Sequence, residues 1–400
     1  MARTVFQGGR VFDGTGAPLA DADVVIEGDR IVEVGPGLDG DEGIDCRGKA
    51  LLPGLFDCHI HLTSRYEDDE LTLQHRPFSY GFFLIPENLR ITLALGITTV
   101  RDAGGADLGL KKAVEDGVIP GPRMQISVTM LSQTGGHNDP WLPSGGFSAD
   151  WLPYPGFPEG TCDGVDGVRR KVREVVRAGA DVIKIASSGG FFSPTDDPMH
   201  PHFSQEELDE IVRTAADLGR KVMSHAHSPE SVKRAVRAGV HSIEHGTYLD
   251  EEAAEMMAEA GTWFVPTITS GDTTEAYAAD PKLAPEIRAK FEGEGRPEFD
   301  AMRLAAAAGV KMAMGTDAPV APHGTNLNEL MHMANNGFTP EQALVAATSA
   351  AAEMMGMETD LGTLAPGKLA DVIVVDGNPF EFATLKDRVE QVFKTGVRVV

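Results

Sequence analysis

Residues 51–62, with the sequence LLPGLFDCHIHL, constrain the fold more than any other part of the chain. The apolar run, interrupted by Pro53 and Gly54, predicts a buried strand that ends in the pair His59 and His61. Residues two apart in a strand point to the same face, so the two imidazoles can hold one divalent metal ion. On the pair alone, one packed histidine beside one exposed histidine is an equally good interpretation.

Charge and cysteine content exclude several classes of protein. Sixty acidic and 35 basic side chains give a net charge of −25, which argues against nucleic acid or an anionic membrane as a partner. Only Cys46, Cys58 and Cys162 are present, so we expect reduced thiols in a cytoplasm and no cysteine metal site. There is no apolar segment typical of a signal peptide or a membrane span, and a soluble cytoplasmic protein is expected.

Both ends of the chain are rich in short predicted strands. Residues 3–52 alternate apolar segments with glycine turns, and Gly28-Asp29 is predicted to be a two-residue hairpin turn. Residues 367–400 have the same pattern. We therefore predict one small β-sandwich domain assembled from residues 1–53 and 361–400.

Residues 54–360 instead alternate apolar strands with helices. The strand that carries His59 is the first of eight, and the others are predicted at residues 96–103, 123–131, 180–186, 221–227, 240–246, 262–267 and 310–317. Helix signals lie between them, including a capping box from Ser204 to Glu207 and Ala-Gly endings before four of the strands. Repeated strand–helix units of this number predict an α/β fold, a (β/α)8 TIM barrel, with a doubly wound open sheet as the alternative.

Polar side chains lie at or near the ends of these strands. They are His59 and His61 in the first strand, Lys184 in the fourth, His225 in the fifth, His245 in the sixth and Asp317 in the eighth. Because the carboxyl ends of barrel strands meet on one face, we expect these six side chains to lie close together.

This arrangement resembles the amidohydrolase superfamily of metal-dependent hydrolases, over nearly the whole chain. The segments that carry the resemblance, besides the His-x-His pair, are residues 134–137 (TGGH), 182–185 (VIKI), 188–190 (SGG), 225–227 (HAH), 243–246 (IEHG) and 315–318 (GTDA). Together and in this order they look like the branch that contains Xaa-Pro and Xaa-Arg/Lys dipeptidases, ochratoxin-type amidases and relatives of imidazolonepropionase.

The resemblance implies two divalent metal ions, one held by His59, His61 and Asp317 and the other by His225 and His245. An ammonium at Lys184 would be repelled by both ions. The resemblance implies that CO2 converts this side chain to an anionic carbamate, a carboxylated lysine that bridges the metals. A neutral buried lysine, or one that points out of the barrel, is the alternative. Zinc is the expected metal, with cobalt or manganese as further candidates.

The resemblance also implies roles in the reaction. A metal-bridging hydroxide would attack the carbonyl, Asp317 would act as general base and then acid, and His137 would donate to the carbonyl oxygen. Tyr248 matches the tyrosine that binds the substrate α-carboxylate in dipeptidases, and His227 is expected to form a polar wall of the pocket. The simpler alternatives are a loop histidine bonded to backbone at position 137 and a structural tyrosine at position 248.

The expected reaction is hydrolysis of an amide or peptide-like C–N bond in a small-molecule substrate, a dipeptide or an N-acyl amino acid. Hydrolysis of neutral amides, carbamates or ureas, including xenobiotics, is the alternative, because residues 77–83 and 141–157 could line an aromatic pocket. The same aromatic residues could equally pack as rigid loops. A one-metal imidazolonepropionase-like enzyme or deaminase is disfavoured by Lys184. An inactive scaffold that binds other proteins is an alternative of another class, and a homo-oligomer is left open.

Overall fold

The two ends of the chain contribute to one eight-stranded sheet, and the computed structural model describes residues 2–148, 153–292 and 295–400. The strands of this sheet are β1 (Arg3–Val11), β2 (Ala20–Glu27), β3 (Arg30–Gly35), β4 (Glu42–Asp45), β5 (Lys49–Pro53), β14 (Val372–Asp376), β15 (Val389–Lys394) and β16 (Val397–Arg398). Their order is β16-β15-β14-β5-β1-β2-β3, with β4 paired to β1.

The pairing of β14 with β5 joins the C-terminal segment to the N-terminal one, with Ile373 opposite Leu52 in an antiparallel ladder. Residues of β5 alternate between two cores: Leu51 packs in a cluster of the composite sheet, whereas Leu52 belongs to the large core. The hairpin predicted at Gly28-Asp29 is confirmed, because the ladder of β2 and β3 ends at the pair Glu27 and Arg30.

Parallel strands make up the middle of the chain. They are β6 (Leu55–Ile60), β7 (Ile97–Asp102), β8 (Arg123–Ile126), β9 (Met130–Leu131), β10 (Val182–Ala186), β11 (Lys221–Ala226), β12 (Ser242–His245) and β13 (Trp263–Val265). β6 to β8 form one sheet and β9 to β13 another. The strand predicted at residues 123–131 is therefore split, and the left-handed backbone of Val128 (φ 66°) lies in the interruption between β8 and β9.

The eighth predicted strand, residues 310–317, is irregular but occupies the expected place between β13 and β6. The backbone N–H of Ala313 donates to Phe264 (3.0 Å), and the N–H of Cys58 donates to Met314 (2.8 Å). Parallel bridges join Phe264 to Met312 and Ile60 to Ala318. This segment is therefore hydrogen-bonded to the last strand of one sheet and the first strand of the other.

Helices separate most of the parallel strands. They are α1 (Glu70–His75), α2 (Ile85–Ala94), α3 (Leu108–Glu115), α4 (Gly164–Arg177), α5 (Gln205–Asp217), α6 (Pro229–Ala238), α7 (Glu251–Ala260), α8 (Thr274–Ala279), α9 (Pro285–Phe291), α10 (Pro297–Ala308), α11 (Asn328–Asn335), α12 (Pro340–Ala346), α13 (Ser349–Met355) and α14 (Phe382–Leu385). The capping box of Ser204 and Glu207 is present at α5. Among the helices of the described ranges, none is both long and apolar enough to span a lipid bilayer.

Glycine ends three of these helices as predicted. Gly239, Gly261 and Gly309 are left-handed C-caps of α6, α7 and α10, with φ of 88°, 70° and 75°. This conformation is open to glycine without the steric cost that a Cβ brings. Each cap ends a helix and leads into the next strand or strand-like segment. That segment then runs towards the end at which the polar side chains lie.

Candidate active site

The six side chains predicted from the strand ends lie together. Asp317 is at the centre: its Oδ1 is 3.3 Å from Nε2 of His59 and 3.2 Å from Nε2 of His61. Its Oδ2 is 3.9 Å from Nδ1 of His245. The Nζ atom of Lys184, in the middle of β10, is 3.5 Å from Nε2 of His59. The carboxylate of Asp317 therefore touches or approaches both of the predicted groups of histidines.

His225 completes this cluster. Its ring lies 4.6 Å from that of His245 and 4.4 Å from that of His137. One set of three residues, His59, His245 and Asp317, offers possible ligand atoms that all lie within 4.8 Å of one another. This set draws on both of the predicted groups, so the two groups adjoin each other.

Two of these side chains depend on a left-handed backbone. His245 is the last residue of β12 and has φ of 71°, and Asp317 has φ of 58°. Such conformations are uncommon outside glycine and cluster at functional sites. Because they break the alternation of a regular strand, pleat geometry alone cannot say where these side chains point.

The protonation states of the cluster suit a divalent metal ion. Burial holds the pKa of His225 and His245 well below the ordinary value, so both rings are neutral at neutral pH. Burial alone would raise the pKa of Asp317, but the neighbouring His59 and His61 hold it well below its usual range. Neutral imidazoles and an ionised carboxylate are the forms that bind metals, so His225, His245 and Asp317 already have the charge states that a metal requires. Burial lowers the pKa of His61, but Asp317 raises it overall, and a bound cation would oppose that increase.

Lys184 is the one amine in the cluster. Its side chain is 1% exposed, and burial lowers its pKa to about 8. A neutral amine is the form that reacts with CO2, and burial increases its fraction at neutral pH. Because the side chain lies inside the cluster, it does not point away from the site, and a neutral buried lysine is the alternative to the carbamate that is left.

Sequence reasoning missed the pair that orients His59. Nδ1 of His59 lies 2.8 Å from Oε2 of Glu244, and Arg101 donates to Oε1 of the same carboxylate at 2.9 Å. Both Glu244 and Arg101 are almost fully buried. Burial would raise the pKa of Glu244, but Arg101 and His59 lower it to about 2, so the carboxylate is ionised and accepts the proton of Nδ1. Nε2 of His59 is left as the free ligand atom.

Asp57, two residues before His59, was also missed. Its buried carboxylate accepts hydrogen bonds from the backbone and hydroxyl of Thr316 at 3.1 and 2.6 Å and from Asn326 at 2.9 Å. These bonds tie strand β6 to the segment that carries Asp317. Its position two residues before the His-x-His pair is the sequence feature that could have identified Asp57.

His137 lies over the cluster, in the loop that follows β9. Its ring is stacked on His225, with an interplanar angle of 22°. Nδ1 lies 2.9 Å from Oγ of Ser193 and 3.7 Å from Oδ2 of Asp196. Burial lowers the pKa of His137 to about 4. The side chain of His137 thus contacts Ser193 and Asp196 in the loop after β10. The sequence pattern did not predict this contact.

His227 and Tyr248 lie beside the cluster. The ring of His227 stacks on His245 at 5.1 Å, and its Nδ1 lies 2.8 Å from Oγ1 of Thr247. The backbone N–H of Tyr248 donates to the carbonyl of His227 at 3.0 Å, and its half-buried side chain has a pKa raised by burial and by Glu298. His227 therefore contacts the predicted ligand His245 through its ring, and Tyr248 contacts His227 through its backbone.

An aromatic side chain beside this cluster comes from a loop that the sequence pattern did not single out as aromatic. Phe78 and Phe82 pack on Tyr154 at 5.3 and 6.0 Å, and residues 149–152 of the second segment lie outside the described residues. Instead, Phe191 contacts His227 with ring centres 5.0 Å apart, and its ring also packs on Phe291. These two residues come from the loop after β10 and from α9.

Known proteins resemble the chain over nearly its whole length. Ochratoxinase from Aspergillus niger is 37% identical over 397 residues, which cover 94% of this chain and 82% of that protein. The crystal structure of a prolidase complexed with N-methylphosphonate-L-proline is 38% identical, covers 99% of both chains and has a TM-score of 0.90. A Xaa-Pro dipeptidase with bound methionine in its active site is 35% identical, covers 99% of both chains and has a TM-score of 0.89.

A family description matches most of the chain as well. Residues 50–399 match the amidohydrolase family, and these residues include every side chain of the cluster around Asp317. The polar residues at the strand ends, the fold and the similarity to hydrolases of amide and peptide bonds agree with one another. The chain therefore belongs to the amidohydrolase family and is a hydrolase that acts on carbon–nitrogen bonds.

Proposed function

We propose that this chain is a two-metal hydrolase of amide or peptide-like bonds, most simply a dipeptidase of the Xaa-Pro type or an N-acyl amino-acid amidohydrolase. The observation that carries the proposal is the meeting of the buried His59, His225 and His245 with the carboxylate of Asp317 and the buried amine of Lys184. A set of nitrogen donors with one carboxylate suits zinc, cobalt or manganese.

The proposed ligands are His59, His61, Lys184, His225, His245 and Asp317. Lys184 would serve as its carbamate, formed when the neutral amine attacks CO2 and releases a proton. The carbamate would give this buried site an anion where an ammonium would repel bound cations. The lowered pKa and near-complete burial of Lys184 support this assignment.

The bound metals would supply a water of lowered pKa and would polarise the substrate carbonyl. Asp317 is placed to accept the proton of that water and to deliver it to the leaving nitrogen, because it touches the rings of both His59 and His61. His137 lies over His225 and would contact the reacting group of the substrate. Phe191, which packs on His227, would shield part of the site from bulk water.

Two kinds of observation support a substrate with a free carboxylate. The related prolidase was crystallised with a proline phosphonate, and the related ochratoxinase and Xaa-Pro dipeptidase are named for amide or peptide cleavage. In this chain the backbone N–H of Tyr248 donates to the carbonyl of His227, which places Tyr248 next to the cluster. A neutral amide, carbamate or urea is the second candidate, favoured by the contact of Phe191 with His227.

The contacts between the parallel strands also support a proposal for the fold. The segment 311–318 bonds to β13 and β6, and residues 127–129 connect β8 to β9, so we infer that the parallel strands close into a (β/α)8 barrel. We propose residues 54–360 as the barrel and residues 1–53 with 361–400 as a composite β-sandwich domain. A cytoplasmic location stays a prediction from the cysteine content.

The test is a substrate panel combined with metal analysis. Dipeptides, N-acyl amino acids, carbamates and phenylureas would be assayed with the zinc, cobalt and manganese enzymes. We expect about two metal ions per chain and the highest kcat/KM for dipeptides or N-acyl amino acids. One metal ion per chain with full activity would refute the two-metal site. A preference for carbamates or ureas would establish the second candidate.

Glu244→Gln is expected to weaken metal binding by roughly 10- to 100-fold, the usual cost of losing a group that orients a metal ligand. The amide would lack the charge that balances Arg101 and could donate to Nδ1 of His59, which would shift the ring proton to Nε2. Competition with a chelator measures the affinity. Glu353→Gln, which alters an exposed pair with Lys311, is the matched control. Unchanged affinity in the Glu244 variant would contradict the role given to this carboxylate.

His137→Ala is expected to lower kcat by one to three orders of magnitude, roughly the cost of one group that stabilises the reacting oxygen. The metals should be retained, because His137 is not among the proposed ligands. Steady-state kinetics and metal content per chain are the measurements. A variant with the wild-type kcat would remove His137 from the reaction.

Tyr248→Phe is expected to raise KM for substrates that end in a carboxylate, with a much smaller effect on an uncharged anilide. The physical reason is that the phenol would donate a hydrogen bond to the carboxylate, which costs about 1.5 to 3 kcal/mol to lose. KM values for a matched acid and anilide give the comparison. Equal changes for both substrates would rule out carboxylate binding by Tyr248.

A further inference from the structure

Lys290 in α9 is bonded to a loop on the other side of the candidate site. Its ammonium donates to the carbonyl of Gly190 at 2.7 Å, the carbonyl of Ser193 at 2.6 Å and Oδ1 of Asp196 at 2.8 Å. An ammonium has three protons, so these three acceptors use all of them. The Lys290 side chain is 13% exposed and that of Asp196 is 1% exposed. The loop after β10 is therefore held by a buried ion pair.

The same loop contacts His137. Oγ of Ser193 makes a short hydrogen bond to Oδ1 of Asp196 and lies 2.9 Å from Nδ1 of His137. A Cβ added to Gly190 would lie 2.1 Å from Cε1 of His137, so the ring rests directly against the glycine backbone. Lys290, Asp196, Ser193 and His137 thus form one continuous chain of contacts.

The direction of the hydrogen bonds follows from counting protons. The Asp196 carboxylate, bonded to the Lys290 ammonium, is ionised and can only accept, so the single hydroxyl proton of Ser193 lies on the bond to Asp196. Oγ of Ser193 can then only accept from His137, which places the ring proton on Nδ1. In a neutral imidazole the other nitrogen, Nε2, carries a lone pair.

We propose that Lys290, Asp196 and Ser193 are positioning residues that hold His137 against Gly190 as the Nδ1–H tautomer. The expected effect on kcat rests on the proposed function, whereas the tautomer of His137 does not. The proposal differs from the expectation that a neutral His137 donates to the carbonyl oxygen, because donation from Nε2 requires that this nitrogen first takes up a proton.

The direct test is nitrogen-15 NMR of the zinc-loaded protein labelled at histidine, with His137 assigned by its loss in His137→Gln. We expect a protonated Nδ1 and a bare Nε2 in the wild type. Asp196→Asn should move the proton towards Nε2, because an amide can donate to Ser193 and turn its hydroxyl towards the ring. A proton found on Nε2 of wild-type His137 would overturn the proposal, whether or not the protein hydrolyses any substrate tested.

Kinetics test the positioning role separately. Ser193→Ala, Asp196→Asn and Lys290→Met are each expected to lower kcat at least tenfold with the metal content unchanged. In the His137→Ala background the same changes should cost less than about threefold, because residues that act through a shared partner are not additive. Equal losses in both backgrounds would show a general structural role instead. Lys282→Met is the control and should leave kcat unchanged, because Lys282 is an exposed lysine in the turn between α8 and α9 that pairs with Asp69.

Discussion

Lys184→Ala is expected to lower kcat/KM by at least roughly 10³-fold, the scale of loss when one member of a catalytic unit is removed. Without this side chain the site would lack the anion proposed to lie between the two metals, so one or both ions should be lost. Kinetics with metal content per chain measure both effects. Lys184 is the buried amine of the cluster around Asp317, and its loss should not be compensated from nearby.

Chemical rescue separates the carbamate from a mere packing role. Acetate or formate added to Lys184→Ala should restore part of the activity, because a small carboxylate can take the place of the carbamate. Wild-type enzyme stripped of metal should likewise need bicarbonate for full reconstitution. Lys233→Ala is the control: this lysine is also largely buried but pairs with Asp250 and Glu252, away from the cluster. If Lys184→Ala kept its metals and its activity, the carbamate proposal would be untenable.

Asp317→Asn is expected to lower kcat by roughly 10²- to 10⁴-fold, the usual contribution of a positioned general acid–base group. The amide has nearly the same shape but cannot accept the proton of the attacking water. It would also present a poorer ligand atom, so activity must be compared at saturating metal. The contacts with His59 and His61 place the Asp317 carboxylate among the predicted ligands of one metal.

The leaving group shows which step Asp317 serves. If the residue returns the proton to the leaving nitrogen, the loss in Asp317→Asn should be smaller for an ester or a p-nitroanilide, whose leaving groups need less protonation. Asp360→Asn, which alters a surface pair with Arg30, should leave kcat unchanged. A loss of the same size for every leaving group would limit Asp317 to metal binding and activation of the water.

The positions of the metal-site candidates were predictable because they follow from local rules. A strand has a period of two, parallel strands end on the same side, and polar residues at those ends therefore meet. His59, His61, Lys184, His225 and Asp317 lie close together as expected. The irregular segment around Met312 shows the limit of this reasoning, since its pairing was predicted correctly but its regular strand geometry was not.

The aromatic lining was not predictable in the same way. Aromatic richness in residues 77–83 and 141–157 was compatible with a pocket wall and with rigid loop packing, and Phe78 and Phe82 pack on Tyr154. Phe191, which directly follows the SGG segment of residues 188–190, contacts His227. Composition shows that a segment has aromatic side chains to bury, but it does not show which part of the protein they pack against.

The sequence by itself determined the family, the order of the strands and which side chains gather at their ends, because these depend on short-range periodicity and on motif order. Only the tertiary structure decided how the gathered side chains are oriented. The partners that orient them are far apart along the chain: Glu244 is 185 residues from His59, and Lys290 is 94 residues from Asp196. No local pattern encodes such contacts, since they arise only when the folded strands and loops bring buried charges within hydrogen-bond distance.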